Sequence, residues 1–134
     1  VAQIERLNAL VTAKHQISDS YATAFLNLNG VLPFASVDWA KWSCWLSGIY
    51  LPTADIITIE AIFDASVAAG IDARPFWKPV HLQPPFAKAP GEKFPVADDI
   101  WQRIFPLPSS TNLKSTEQEK VIKTMTAILE THLA

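Results

Sequence analysis

The sequence has 134 residues, of which 49% are apolar and 18% charged, with a formal net charge of −2 at pH 7. That length suits one domain with a core of its own, and a slightly acidic balance without long runs of lysine or arginine argues against a nucleic-acid partner held by charge. Cys44 is the only cysteine, which rules out an internal disulfide and favours the cytoplasm, while no apolar run reaches the ~20 residues that cross a bilayer.

The first element reads as a long helix. From Gln3 to about Leu28, apolar residues at 4, 7, 10, 11, 17, 21, 25 and 28 follow the i, i+3, i+4, i+7 spacing of an amphipathic helix. At 1.5 Å per residue it would be about 38 Å long, enough to run past the edge of its own domain. Asn29-Gly30 closes it, because both residues tolerate the left-handed conformation that ends helices. Residues 31–41 read as a connector. The run Trp42–Leu51, WSCWLSGIYL, reads as a strand with both faces largely apolar and hence a central place in a sheet.

Pro52-Thr53 breaks that strand, and a helix is expected from about Thr58 to Ala69 with Ile59, Ile62, Phe63 and Val67 on one stripe and Gly70 as its stop. Ile71–Pro75 reads as a second short strand. Ala87–Lys93 is polar, with Pro90-Gly91 as a turn signal. A helix follows from Pro95 through Ala97, Ile100, Trp101 and Ile104, then Phe105–Leu107 as a strand that Pro106 and Pro108 confine to a sheet edge. After a turn at Ser109–Lys114, Ser115 and Gln118 are spaced as a capping box, and Val121, Ile122, Met125, Ile128 and Leu129 form the stripe of a last helix. The sum is an α+β domain with three to four helices, the N-terminal one long, on a small sheet.

Candidate chemistry concentrates in Ala73–Phe86, ARPFWKPVHLQPPF. Prolines at 75, 79, 84 and 85 fix φ and push the preceding residues toward extended geometry, so the segment holds a shape without being a helix. Arg74, Lys78 and His81 then present cationic or polar groups at set positions and Phe76 and Trp77 present flat rings, a combination suited to an anionic, ring-containing ligand. The plainer reading is a surface loop with solvated charges.

Elsewhere the chemistry is thin. Glycines at 30, 48, 70 and 91 are too far apart to cradle a phosphate. His15, His81 and His132 are isolated from one another, so no metal site is expected, and His15 and His132 read as ordinary helix residues. No serine lies in a nucleophile elbow. Asp98 and Asp99 are adjacent on a helix, point in different directions, and read as solvated acids near its positive end. Of the five tryptophans, Trp39, Trp42, Trp45 and Trp101 read as core packing, and only Trp77 stands apart.

Four stretches resemble the C-terminal part of the DegT/DnrJ/EryC1/StrS aminotransferases. They are VAQIERLNALVTAKHQISDSYATAF with Gly30-Val31 after it, the run WSCWLSGIYL, AAGIDARPFWKPVHLQPPF, and FPLPSSTNLKSTEQEKVIKTM. The resemblance covers nearly the whole sequence, and its Arg-Pro-Phe-Trp-Lys-Pro-Val-His run is most similar to the branch that makes 4-amino sugars from UDP-4-keto-6-deoxyhexoses.

The resemblance implies the small C-terminal domain of an aspartate-aminotransferase-like enzyme (pyridoxal-phosphate fold type I), with a short, mainly antiparallel sheet. Residues 1–134 would be a single domain cut from a longer polypeptide, an expectation that the start at Val1 and the apolar-rich composition support. The whole enzyme would use pyridoxal 5'-phosphate to move an amino group from an amino acid, glutamate, to a nucleotide-linked keto sugar in bacterial glycan and polysaccharide biosynthesis, as a homodimer. Within this piece the resemblance implies Arg74, Trp77, Lys78 and His81 as substrate-binding residues, with no catalytic and no metal-binding residue. None of Lys14, Lys41, Lys78, Lys88, Lys93, Lys114, Lys120 or Lys123 has the context of the Schiff-base lysine. The piece alone would therefore hold no cofactor and be inactive. Two other readings stay open: a freestanding α+β protein-interaction or regulatory domain, and a relative acting on a cyclitol keto group.

Overall fold

The computed structural model describes residues 2–86 and 91–134. Its elements in chain order are α1 (Ala2–Glu5), α2 (Leu7–Phe25), β1 (Leu32–Pro33), β2 (Ser47–Tyr50), α3 (Ile56–Ala68), α4 (Pro95–Ile100), β3 (Ile104–Leu107) and α5 (Ser115–His132), with 3-10 turns at Val80–Leu82 and Trp101–Arg103. The three strands form one antiparallel sheet in the order β1-β2-β3. The α+β class expected from the sequence holds.

The N-terminal helix is two pieces, not one. Residues 3–9 are all exposed, so no packing pins the first turn, and at Arg6 the backbone leaves helical geometry (φ −99°, ψ 0°) while its N–H bonds the Gln3 carbonyl three residues back. Burial begins at Ile17 and continues through Tyr21 and Phe25, a stripe at i, i+4, i+8. The chain then turns at Gly30, whose φ of 75° is the left-handed conformation expected there.

β2 is central, as its apolar faces require, but it covers only the second half of the expected run. Cys44 has a φ of 52°, incompatible with a strand, and residues 42–46 are irregular. Trp45 is consequently 63% exposed, and Trp39 87% exposed, so neither packs the core as expected. The core instead gathers Ile17, Tyr21, Phe25, Ile49, Leu51, Ile62, Phe105, Leu107, Met125 and Leu129. β3 is an edge strand, and register places Pro106 opposite Gly48 and Phe105 opposite Ile49. The other edge, β1, lies in the stretch read as connector, because a two-residue strand containing Pro33 leaves no periodicity to detect.

α3 starts two residues earlier than expected, since Asp55 is its N-cap: the carboxylate accepts the Thr58 N–H at 2.8 Å. Its C-terminus is a full Schellman closure, with the Gly70 N–H on the Val67 carbonyl (2.9 Å) and the Ile71 N–H on the Ser66 carbonyl (3.0 Å). This closure replaces the expected strand at Ile71–Pro75. Ile71 and Ala73 are buried, yet the Ala73 N–H bonds the Ile71 carbonyl within the segment and pairs with no strand.

The helix from Pro95 ends at Ile100 and tightens into the 3-10 turn, so Ile104 already belongs to β3. Most of the expected Ala87–Lys93 turn lies outside the described residues. α5 begins as expected at Ser115, but its box differs: Glu117 accepts the Lys114 N–H at 3.0 Å, while Gln118 is buried and donates across to the Ile17 carbonyl of α2 at 2.8 Å.

Gly48 sits where backbone and ring crowd. A Cβ there would clash with the Phe105 carbonyl oxygen and lie 2.9 Å from both Phe34 and Pro106. Gly48→Ala should therefore lower stability by about 1–3 kcal/mol through overpacking, measured as a lower denaturation midpoint at unchanged m-value.

A second expectation concerns pH. The Thr58 N–H holds the Asp55 carboxyl below its usual range, so its native pKa lies under the unfolded value of about 3.9. The capping contribution is then complete above pH ~4 and disappears as pH falls through the native pKa. Asp55→Asn should flatten the acid limb of the stability curve, read by thermal melts between pH 3 and 6.

Candidate functional site

The proline-rich segment leaves the Schellman closure of α3, shares hollows with residues of β3, and reaches α4 through His81. Its shape is internally held. The Leu82 and Gln83 N–H groups bond the Pro79 and Val80 carbonyls at 3.0 Å each, the Phe86 N–H bonds the Gln83 carbonyl at 2.9 Å, and the Gln83 side-chain amide donates to the Lys78 carbonyl at 3.0 Å. No cis peptide is needed among the described residues.

Arg74 is an exposed guanidinium that forks onto the carboxylate of Asp72, with Nε 3.2 Å from Oδ1 and Nη2 3.3 Å from Oδ2. In this geometry one planar edge of the guanidinium is oriented and the charge stays in solvent, where the pair adds little stability. Trp77 is 59% exposed; it stacks on Trp45 at 5.2 Å with planes 27° apart, and Phe76 lies 5.4 Å away with its plane tilted by 49°. Arg74, Trp77, Asp72, Leu46 and Ser109 line a hollow of about 340 Å³ of mixed polarity.

Two larger hollows flank Phe76. One of about 500 Å³ lies against α3, with Glu60, Phe63, Asp64, Arg74 and Trp101 in its wall. The other, about 600 Å³ and almost wholly apolar, is bounded by Trp77, Pro79, Phe94, Val96 and Trp101. The Phe76-Trp77 pair is thus a ridge between three concavities.

His81 lies elsewhere. It lines none of these hollows; its Nε2 donates to the Asp98 carboxylate at 2.5 Å, and its ring lies 4.9 Å from Phe94. A carboxylate only accepts, so this bond sets the proton on Nε2. The contact ties the 3-10 turn at Val80–Leu82 to α4. Lys78 is exposed and also lines none of the three hollows. The structure therefore brings Arg74 and Trp77 together and places Lys78 and His81 farther along the segment.

Three partners escaped the sequence reading. Asp72 was legible, since residues i and i+2 share a side of an extended segment. Trp45 was hidden by the strand reading, and Asp98, seventeen residues from His81, is brought there only by the fold.

The described residues do not build a cradle for pyridoxal phosphate. No lysine lines any of the three hollows, and Lys14, whose ammonium burial pushes below its usual range, is committed to the Trp45 carbonyl at 2.9 Å and to the Ser109 carbonyl. Among the described residues no group of three His, Cys, Asp or Glu side chains is placed to hold a metal ion, and no helix is long and apolar enough to cross a membrane.

With this geometry in hand, the likeness to known proteins is specific. The profile of the DegT/DnrJ/EryC1/StrS aminotransferase family matches residues 1–126, and the chain belongs to that family, whose members are pyridoxal-phosphate-dependent aminotransferases. It is 29% identical over 135 aligned positions to EpsN of Bacillus subtilis (strain 168), described as a pyridoxal phosphate-dependent aminotransferase, covering 98% of this chain and 34% of EpsN. Solved structures share the fold. Spr1654 of Streptococcus pneumoniae, described as a sugar aminotransferase, superposes with a TM-score of 0.86 at 22% identity over 98% of this chain and 33% of its own. PseC of Helicobacter pylori, an aminotransferase involved in the biosynthesis of pseudoaminic acid, gives 0.85 at 17% identity over 97% and 35%. The chain spans about a third of the length of these relatives.

The His81–Asp98 contact carries a prediction of its own. Asp98→Ala should speed amide exchange at residues 80–86 while leaving the global unfolding midpoint nearly unchanged, whereas Asp99→Ala, which loses only an ion pair with Arg103 on the neighbouring turn, should not change exchange there.

Proposed function

We propose that this chain is the small, substrate-side domain of a longer sugar aminotransferase. The whole protein would transfer an amino group from glutamate to a nucleotide-linked keto sugar, with pyridoxal phosphate held by a large domain of the same polypeptide. The cofactor supplies the electron sink for amino transfer when bound; the residues here orient the acceptor. The observation that carries this reading is the Arg74–Trp77 hollow, a guanidinium edge and an indole face on one concavity, in a member of an aminotransferase family.

Each residue has a definable task. Arg74 commits its Nε–Nη2 edge to Asp72. It is the other edge, Nη1 with the outer Nη2 proton, that is placed to meet diphosphate or sugar oxygens, since a guanidinium binds such groups through paired N–H donors. Trp77 offers a flat face for a ring. Lys78 adds exposed positive charge beside it, and His81, fastened to Asp98, keeps the segment at the height at which the others act. Bacterial glycan and polysaccharide assembly, a cytoplasmic setting and a homodimer are parts of the same proposal. The exposed side chains of Trp39, Ile4, Leu7 and Leu26 fit coverage by the rest of such a protein. They would equally suit the interaction-domain reading, but family membership favours the enzyme.

The test uses the full-length enzyme with a UDP-4-keto-6-deoxyhexose as acceptor and glutamate as donor. Arg74→Ala should raise the acceptor KM by about tenfold or more, the loss expected for one charge-assisted contact. His81→Ala should raise it less, and Lys123→Ala, at an exposed position on α5, serves as the control. Unchanged KM and kcat in both loop variants would overturn the assignment.

A further inference from the structure

Trp45 and Trp77 come from segments far apart in sequence, are each more than half exposed, and still stack. Exposed indoles do not hold one another in place unaided, because each has free rotation about two side-chain torsions. Something must fix the backbone beneath one of them, and α2 does so with consecutive residues. Lys14 donates to the Trp45 carbonyl at 2.9 Å and to the Ser109 carbonyl. His15 Nδ1 lies 3.3 Å from the Cys44 thiol.

Those two contacts grip the point where the expected strand breaks. Cys44 is 2% exposed and held at φ 52°, a conformation that costs a non-glycine residue energy and persists only where its surroundings impose it. Burial pushes the Cys44 thiol up and the Lys14 ammonium down, consistent with groups drawn into the protein to hold backbone. The bend at Cys44 turns Trp45 out of the sheet and onto the face of Trp77. Ser109, the second carbonyl on Lys14, is itself in the wall of the Arg74–Trp77 hollow.

Resting on the reading that Trp77 faces the substrate, we propose that Trp45 is a positioning residue, held by the Lys14–His15 grip on the Cys44-Trp45 bend, that sets the orientation of the Trp77 indole toward the acceptor sugar nucleotide. Neither Trp45 nor Lys14 need touch substrate. A merely structural role would change stability alone; a positioning role changes how well the acceptor binds, with the chemistry of amino transfer left as it was.

The experiment has a spectroscopic and a kinetic arm, both on the full-length holoenzyme. Two stacked indoles give an exciton couplet in far-ultraviolet circular dichroism. Subtracting the Trp45→Phe spectrum from the wild-type spectrum should reveal it, Trp77→Phe should remove the same feature, and Lys14→Met should shrink it. With a UDP-4-keto-6-deoxyhexose as acceptor, Trp45→Ala and Lys14→Met should raise KM by roughly three- to tenfold, the worth of one aromatic stack, at near wild-type kcat. Trp45→Phe, which keeps a ring against Trp77, should recover most of the loss while lacking the couplet.

Absence of a couplet overturns the proposal at its structural base. A raised KM in Trp77→Ala with an unchanged KM in Trp45→Ala overturns the positioning role and leaves Trp77 at the substrate. An unchanged KM in Trp77→Ala removes the substrate reading of the segment, and the positioning role with it.

Discussion

The structure depends on polar side chains of α2 that reach across to the carbonyls flanking β2 and β3. A sheet with strands of two, four and four residues is too small to stand by itself. Tyr21 donates to the Pro108 carbonyl at 2.8 Å, Lys14 to those of Trp45 and Ser109, and the Ile17 carbonyl accepts from Gln118 of α5. The Gln118–Ile17 bond is buried, and breaking it would leave the Gln118 amide unpaired, a loss worth about 1–3 kcal/mol. The Tyr21–Pro108 and Lys14–Ser109 bonds are part-buried and the Lys14–Trp45 bond is exposed. Around this frame the apolar stripe Ile17, Tyr21 and Phe25 meets Ile49, Phe105, Met125 and Leu129.

The frame also delivers the candidate site. α3 is started by Asp55 and stopped by Gly70, and the stop feeds directly into Asp72, Arg74 and the Phe76-Trp77 ridge. Because Ile71 and Ala73 are buried, the entry to the segment is fixed by the core; because His81 is fastened to Asp98, its far end is fixed by α4. Pro75 and Pro79 stiffen what lies between. The result is a fixed surface element bearing exposed charge and rings.

Membership of the aminotransferase family and the geometry of the segment are complementary. The described residues offer no lysine to any of the hollows, while they do offer a guanidinium edge and an indole face. The division of labour we propose, between a cofactor-holding part and an acceptor-orienting part, is in keeping with that chemistry, since amino transfer needs both a reactive cofactor atom and an acceptor held against it.

How much of this was legible in the sequence can be judged element by element. The 3.6-residue stripes of α2 and α5, the glycines at 30 and 70 with positive φ, the proline-confined edge strand β3 and the stiffness of Ala73–Phe86 are local properties of the chain, set by side-chain shape and backbone sterics, and were readable from residue order alone. The resemblance carried by Arg-Pro-Phe-Trp-Lys-Pro-Val-His likewise needed only that order. The length of β2 was not readable, because Cys44 adopts its left-handed bend only against His15 and Lys14, residues about thirty positions away. Nor were the swap of Gln118 from cap to cross-helix donor, the exposure of Trp45, and the pairs Trp45–Trp77 and His81–Asp98. Those are contacts between distant segments, and their free energy exists only once the core has brought the segments together.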